Sequence, residues 1–189
     1  MKSSSAVRAA TWTARVILVV SASAQVAARA PQSAPSPLHV MAPDARVRGT
    51  TSRVVALVAE GTARSKTLRT LVDEIGGTDG LVYIAEGNCG HEVHACLLFS
   101  ITKTPTNRVL RILIDPSRSD ADLVAAVAHE LQHAFEILSV SWIQTDAAMA
   151  LLYRRIGHLD RRRYETDAAI KIGDAVRAEF RAGEAAARQ

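Results

Sequence analysis

The pentapeptide from His129 to His133, with the sequence His-Glu-Leu-Gln-His, contains the residue types and spacing best suited to chemistry. On an α-helix, side chains four positions apart lie on one face, so His129 and His133 can direct their imidazoles at a single ion. Glu130 lies beside that face, where its carboxylate can take a proton from a water molecule at the metal instead of binding the metal. The H-E-x-x-H spacing therefore predicts a zinc-hydrolase site.

A helix is predicted to carry this motif. Ser119, with Asp122 three residues later, predicts the N-terminal cap. A core helix that holds two packing histidines and a solubilising glutamate is the alternative interpretation. The context favours the metal interpretation because apolar residues recur at helical spacing through the motif. These residues are Leu123, Val127, Leu131, Ala134 and Leu138.

A catalytic zinc ion needs a third protein ligand and leaves one position open to water. The segment from Tyr164 to Phe180 predicts a helix, and Glu165 falls on its apolar stripe, whereas Asp167 falls on the opposite face. A buried carboxylate needs a partner, and zinc would be one. We therefore expect Glu165 to be the third ligand. The other carboxylates considered were Asp146, Asp160, Asp167 and Asp174.

At these residues the sequence resembles the gluzincin branch of the zincin metallopeptidases, in which H-E-x-x-H is completed by a glutamate on a later helix. The run from Tyr164 to Ala168 also resembles small secreted bacterial proteins that carry the same motif. The resemblance implies a zincin-like fold, Zn²⁺ as cofactor, a peptide or protein substrate and Glu165 as ligand. It departs from several gluzincin families at Asp167 and Ala168, which do not reproduce the offsets that follow the ligand glutamate.

The N-terminal segment from Met1 to Ala24 predicts an export signal, with a basic start, an apolar stretch and a small-x-small cleavage site. We expect cleavage after Ala24; cleavage after Ala30 is less favourable because Pro31 would then come first. An uncleaved membrane anchor is the alternative. A linker rich in Pro, Ala and Ser is predicted over residues 25–45, and a metallohydrolase domain over residues 46–189. The mature protein is then expected to be secreted or periplasmic.

Removing the signal changes the interpretation of the charge. The chain has 23 basic and 19 acidic residues. The signal contains the three basic residues Lys2, Arg8 and Arg15, so 20 basic residues remain against 19 acidic ones. Because the mature chain is nearly neutral, we expect no nucleic-acid partner. Since the apolar N-terminal stretch is removed with the signal, we also expect no stable membrane insertion after cleavage.

The remaining periodicity predicts an α+β domain: two N-terminal helices, a small three-stranded antiparallel sheet, the H-E-x-x-H helix and two further helices. By resemblance to the zincins, an edge strand of that sheet would pair with an extended substrate. The predicted helices outside the motif are Ser52 to Glu60, ending at Gly61, Ser65 to Gly76, Thr145 to Ile156 and Tyr164 to Phe180. The predicted strands are Leu81 to Ala85, Val93 to Ile101 and Val109 to Ile114. In the third of these helices Ala148, Leu151, Leu152 and Ile156 are expected to face inward.

The stretch from Cys89 to Cys96 is a rival metal site, because it holds two cysteines with His91 and His94 between them. Alternate side chains of a hairpin point to opposite faces, so these four groups do not converge easily. In an exported chain, two cysteines that flank a turn favour a disulfide. We expect the disulfide, although the metal site stays open at this point.

Tyr164 and His158 are candidate catalytic residues, with Tyr153 as a further candidate, because a tyrosine or protonated histidine near the third ligand can stabilise a tetrahedral oxyanion. For each of them, a packing or surface role is the stronger alternative. The sequence thus predicts an exported zinc-dependent metallohydrolase, most simply a peptidase with Glu130 as general base. The alternative is a non-catalytic, zinc-stabilised binding module of the cell envelope.

Overall fold

The structure is a computed structural model that describes residues 45–90, 93–160 and 163–188. These residues belong to one compact unit. The predicted signal, its cleavage site and nearly all of the predicted linker lie outside the described residues. Within the described part of the chain, no helix is both long enough and apolar enough to cross a membrane.

The described residues form an α+β fold of five helices and seven short strands, which confirms the predicted class. The helices are α1 (Ser52–Arg64), α2 (Lys66–Gly76), α3 (Asp120–Leu138), α4 (Asp146–Ile156) and α5 (Asp167–Ala186). The strands are β1 (Val47–Gly49), β2 (Gly80–Glu86), β3 (Ala95–Leu97), β4 (Thr102–Lys103), β5 (Arg108–Ile114), β6 (His158–Asp160) and β7 (Arg163–Glu165).

The main sheet has five strands in a mixed arrangement, so the predicted three-stranded antiparallel meander is wrong. Strand β5 lies between β2, to which it is parallel, and β3, to which it is antiparallel. Strand β4 also pairs with β5, and β1 extends the sheet beyond β2 in parallel. Within the predicted strand from Val93 to Ile101, the residues that form a strand are those of β3, Ala95–Leu97. Strand β5 takes a central place, where it pairs along both edges.

Alternation along the central strands shows which face of the sheet is packed. On β2, Val82 and Ile84 are fully buried, and on β5 the same holds for Leu110 and Ile112. Arg111, which lies between them in sequence, is exposed. One face of the sheet therefore forms the core, as is usual for a sheet with one covered face.

Side-chain caps set the helix starts as the sequence predicts. The hydroxyl of Ser119 accepts a hydrogen bond from the backbone N–H of Asp122 at the start of α3, and Ser65 does the same for Leu68 in α2. The predicted end of α1 at Gly61 is wrong, because that helix continues to Arg64. A Cβ at Gly61 would meet Leu68 and Val124 at 2.8 and 2.9 Å, so this glycine permits close helix packing instead of ending the helix.

Helix α4 begins at Asp146, one residue after the predicted start at Thr145, and buries a different face from the one predicted. Its buried residues are Met149, Leu152 and Tyr153. Leu151 and Ile156 are 59% and 46% exposed, so their predicted inward orientation is wrong. The inward face is rotated because Tyr153 packs against α3 and donates a hydrogen bond from its hydroxyl to the carbonyl oxygen of His133.

The segment before α5 is a hairpin that the sequence analysis did not predict. Strands β6 and β7 are antiparallel, with His158 opposite Glu165 and Leu159 opposite Tyr164. The cap of α5 is Thr166, whose hydroxyl accepts from the N–H of Ala169, so the helix starts at Asp167 and not at Tyr164. Tyr164 and Glu165 therefore belong to a strand.

Candidate metal centre

Helix α3 presents His129 and His133 one turn apart, as the motif predicts. Their ring centroids are 4.9 Å apart and the rings lie nearly at right angles. His133 is buried, whereas His129 is partly exposed to a cleft of about 770 Å³. The cleft is bounded by β3, α3, β7 and the first turns of α5.

Strand β7 brings Glu165 to the two histidines. Its Oε2 atom lies 2.9 Å from Nε2 of His129 and 3.8 Å from Nε2 of His133. Ligand atoms from the three residues all lie within 4.8 Å of one another, close enough to hold one metal ion. The structure thus brings the three predicted ligands together. The reason given for Glu165 is wrong, because a strand and not the inward face of a helix places this side chain.

Glu165 Oε2 is the atom of the site best suited to bind a cation. It is buried, and it accepts no hydrogen bond from any residue that the structure describes. It lies within ion-pair distance of both histidines, whose imidazoles are charged only when protonated. Buried polar atoms are nearly always partnered, so an orphan oxygen between two imidazoles suits a metal ligand.

The two imidazoles dominate the ionisation of Glu165. His129 first, and then His133, hold the pKa of its carboxyl well below the usual range. The carboxylate is therefore negatively charged under all ordinary conditions. This is the ionisation state in which a glutamate binds zinc.

His133 is surrounded by carboxylates. Burial alone would lower its pKa, but Glu136 and Glu165, with a smaller contribution from Glu130, outweigh burial and raise the pKa to about 9. With both imidazoles neutral, the carboxylates of Glu136 and Glu165 would face a buried ring that carries no positive charge. A divalent cation offsets such a charge excess, whereas without one the histidine must stay protonated.

Glu136 is a residue of the site that the sequence analysis missed. Its Oε2 lies 3.1 Å from Nδ1 of His133, and its Oε1 accepts a hydrogen bond of 2.6 Å from the hydroxyl of Thr166. Nδ1 of His133 is thereby engaged, so Nε2 is the nitrogen left for the cluster. The available signal was its position three residues after His133 in the same helix, where side chains are neighbours.

Glu130 lies in the cleft between the ligand helix and the sheet edge. Its Oε2 accepts a hydrogen bond of 2.7 Å from the backbone N–H of Leu97 on β3. Burial raises the pKa of its carboxyl, although the two histidines partly oppose this. A raised carboxyl pKa suits a group that must both accept and return a proton.

The structure separates the two predicted oxyanion donors. Tyr164 lines the cleft and stacks on Tyr153, with ring centroids 6.0 Å apart. His158 is exposed on β6 and is not among the residues that line the cleft. The hydroxyl of Tyr153 is committed to the backbone of His133, and burial raises the pKa of Tyr153. Tyr164 is therefore the better placed of the two predicted donors.

The other carboxylates considered as ligands lie outside the cluster. Asp146 accepts a hydrogen bond from the N–H of Ile101, and Asp174 pairs with Arg177 on α5. Asp167 is exposed in the first turn of α5, and Asp160 is exposed at the edge of the cleft. The geometry leaves Glu165 as the carboxylate that faces both histidines.

The rival site between Cys89 and Cys96 does not form, because the two sulfurs lie at disulfide distance, with Cα atoms 5.8 Å apart. Paired cysteines offer no thiolate to a metal. His91 lies outside the described residues, and His94 lines the cleft. The guanidinium of Arg163 donates to the carbonyl oxygens of Cys89 and Gly90, which ties this loop to β7.

Comparisons with models of protein families, with curated proteins and with solved structures find no match to this chain. The case for a metal centre therefore rests on the geometry and ionisation of the residues described above.

Proposed function

We propose that this protein is an exported, zinc-dependent metallohydrolase with a zincin-like arrangement, and that its reaction is peptide-bond hydrolysis. The observation that carries the proposal is the convergence of His129, His133 and Glu165, with a buried carboxylate oxygen that has no hydrogen-bond partner among the described residues. Two neutral imidazoles and one carboxylate are a usual donor set for catalytic zinc. Export is supported only by the predicted signal and by the cysteine pair.

His129, His133 and Glu165 would hold the ion, and the cleft would give the fourth position access to water. Bound zinc would supply Lewis acidity, which lowers the pKa of a water molecule and polarises a carbonyl group. Glu130 adjoins the ligands on α3 and would accept the proton and return it to the leaving amine. Tyr164 lines the same cleft and could donate a hydrogen bond to a developing oxyanion.

A second function has one specific observation in its favour. The carboxylate of Glu130 accepts a hydrogen bond from Leu97, so it also ties α3 to the edge strand. In a non-catalytic, zinc-stabilised module of the cell envelope, this contact would be the whole role of Glu130. In the peptidase the carboxylate of Glu130 must also accept a proton, whereas in the binding module it needs only to accept this hydrogen bond.

The substitution Glu130→Gln separates them. The amide oxygen can still accept the hydrogen bond from Leu97, but the side chain can no longer take a proton. We expect hydrolysis of a fluorogenic peptide library by zinc-loaded protein to fall by about 10² to 10⁴ while zinc stays near one per chain. Asp174→Asn is the matched control, because it removes a carboxylate from the same cleft without touching the cluster, and it should leave the rate within about twofold.

Two results would contradict the peptidase. Wild-type hydrolysis that survives Glu130→Gln undiminished, with zinc bound, would mean that Glu130 is not the base. Zinc-loaded wild type that is stabilised by the metal but cleaves no member of the library would favour the binding module.

A further inference from the structure

Thr166 connects two parts of the candidate site. It directly follows Glu165 and forms the N-cap of α5, where its hydroxyl accepts a hydrogen bond of 3.2 Å from the N–H of Ala169. The same hydroxyl donates its proton to Oε1 of Glu136 at 2.6 Å. Thr166 is 4% exposed, so water does not replace these bonds.

The second carboxylate oxygen of Glu136 continues the connection to His133. This oxygen lies 3.1 Å from Nδ1 of His133. The side chains of Glu136 and His133 are almost completely buried, at 10% and 6% exposed respectively. A carboxylate at this nitrogen favours the form of the ring that carries a proton on Nδ1 and offers Nε2 to a metal. Nε2 of His133 is the nitrogen that approaches Glu165, at 3.8 Å.

These contacts close a ring: Glu165 is bonded through the chain to Thr166, whose hydroxyl contacts Glu136, which contacts His133, which faces Glu165. We propose that Glu136 and Thr166 form a positioning pair that couples the orientation of His133 to the placement of Glu165. The inference rests on the proposed metal site and adds to it the residues that set its geometry. Neither residue binds the ion.

An ordinary helix cap is the competing explanation for Thr166, and the chain offers a matched control. Thr145 caps α4 through its hydroxyl, which accepts from the N–H of Ala148 at 3.2 Å, the distance found at Thr166. It makes no contact with the cluster. Thr145→Val and Thr166→Val therefore remove caps of the same geometry, one exposed and one buried, but only the second also removes the hydrogen bond to Glu136.

The primary measurement is the zinc dissociation constant, obtained by competition with a chelator. Glu136→Gln should raise it by about 10- to 100-fold, the usual effect of removing a carboxylate that orients a ligand histidine. Thr166→Val should weaken binding by a smaller factor, and the double variant should bind no more weakly than Glu136→Gln alone, because both act through one contact. Thr166→Ser should restore wild-type affinity, since it keeps the hydroxyl.

The visible absorption of cobalt-loaded protein provides a second measurement. Its bands report ligand geometry, so we expect Glu136→Gln and Thr166→Val to shift them in the same direction. Thr145→Val should lower the stability of the protein but change neither the bands nor the zinc dissociation constant. Equal weakening by Thr145→Val and Thr166→Val, or unchanged affinity in Glu136→Gln, would overturn the positioning role.

The same measurements distinguish a protein without a metal site from one whose metal site is not positioned by Glu136 and Thr166. Wild type that binds neither zinc nor cobalt would reject the metal site itself. Coupling between Glu136 and Thr166 in the unfolding of metal-free protein would then identify a purely structural cap, which also overturns the positioning role. Wild type that binds zinc, with unchanged affinity in both variants, would reject the positioning pair and leave the metal site intact.

Discussion

Helix α3 contacts two clusters of polar side chains, one at its C-terminal end and one at its middle. The two clusters differ in how completely their hydrogen-bond donors and acceptors are paired. At its C-terminal end, the buried guanidinium of Arg108 donates to the carbonyl oxygens of Ile137 and Leu138, at 3.1 and 2.6 Å. It also donates to those of Val140 and Ile143 and to the carboxylate of Asp79. Nearly all its donors are used, and carbonyls that the helix end leaves free gain partners.

The cluster in the middle of the helix is organised differently. Its imidazoles and carboxylates point toward one another, and Glu165 Oε2 has no hydrogen bond among the described residues. Opposite charges at the first cluster satisfy each other directly, whereas the second leaves a buried acceptor and a surplus of negative charge. The comparison teaches that the first cluster contributes to stability by itself, whereas the second would contribute more with the proposed cation bound.

The largest effect is expected from Arg108→Met, which leaves several buried carbonyls and Asp79 without their shared donor. Each unsatisfied group costs about 1–3 kcal/mol, so the free energy of unfolding should fall by about 3 kcal/mol or more. Urea denaturation of metal-free protein provides the measurement. Arg111→Met, on the exposed face of the same strand, should change it by less than about 0.5 kcal/mol. Equal effects of the two substitutions would contradict a special role for the buried arginine.

The next effect concerns the metal. Zinc at about one hundred times its dissociation constant should raise the free energy of unfolding of the wild type by about 2.7 kcal/mol. Glu165→Ala should lose most of this gain at the same zinc concentration, because one ligand is missing. Asp167→Ala should retain it, since that carboxylate is exposed and does not belong to the cluster. Thermal and urea unfolding, each with and without zinc, measure this gain in both variants. A larger loss of the gain in Asp167→Ala than in Glu165→Ala would mean that Glu165 is not the third ligand.

A smaller effect is expected from Gly173→Ala in α5. Its Cβ would lie 3.3 Å from Cβ of His129 and 3.4 Å from the carbonyl oxygen of Ala125, so α3 and α5 must separate slightly. Zinc binding should weaken several-fold, below about tenfold, because His129 is displaced. Gly183→Ala, in the same helix with open space around it, should instead stabilise the protein by about 0.5–1 kcal/mol and leave the zinc dissociation constant unchanged. Unchanged zinc affinity in both variants would show that α5 does not position His129.

The smallest effect is expected from Asp79→Asn. The hydrogen bond from Arg108 lowers the pKa of Asp79, so the pair stabilises the fold above the ordinary pKa of 3.8 and loses this contribution as the pH falls through the lowered value. Because Asp79 is 49% exposed, we expect a loss below about 1 kcal/mol at neutral pH. Unfolding curves at several pH values should show a weaker acid dependence in Asp79→Asn than in wild type. An unchanged acid dependence would mean that other carboxyl groups control it.

Much of the site could be predicted from local sequence. The spacing of His129 and His133 places them on one face of any α-helix. Ser119 sets the start of that helix, because its hydroxyl accepts a hydrogen bond from the backbone N–H of Asp122, three residues later. The turn from Thr104 to Asn107 between β4 and β5 is likewise local, with the Thr104 hydroxyl accepting from the N–H of Asn107. Such features depend on bonds between residues close in the chain, so the sequence alone determines them.

Only the tertiary structure decided the rest. The insertion of β5 between β2 and β3 depends on which strands compete for its two edges, and a local pattern does not encode that competition. Glu165 reaches the histidines from a strand because Thr166 caps α5 and so ends the hairpin there. The contact of Glu136 with Thr166 joins side chains thirty residues apart. Sequence periodicity states which face a residue occupies within its own element, whereas the partner that this face meets is set by packing between elements distant in the chain.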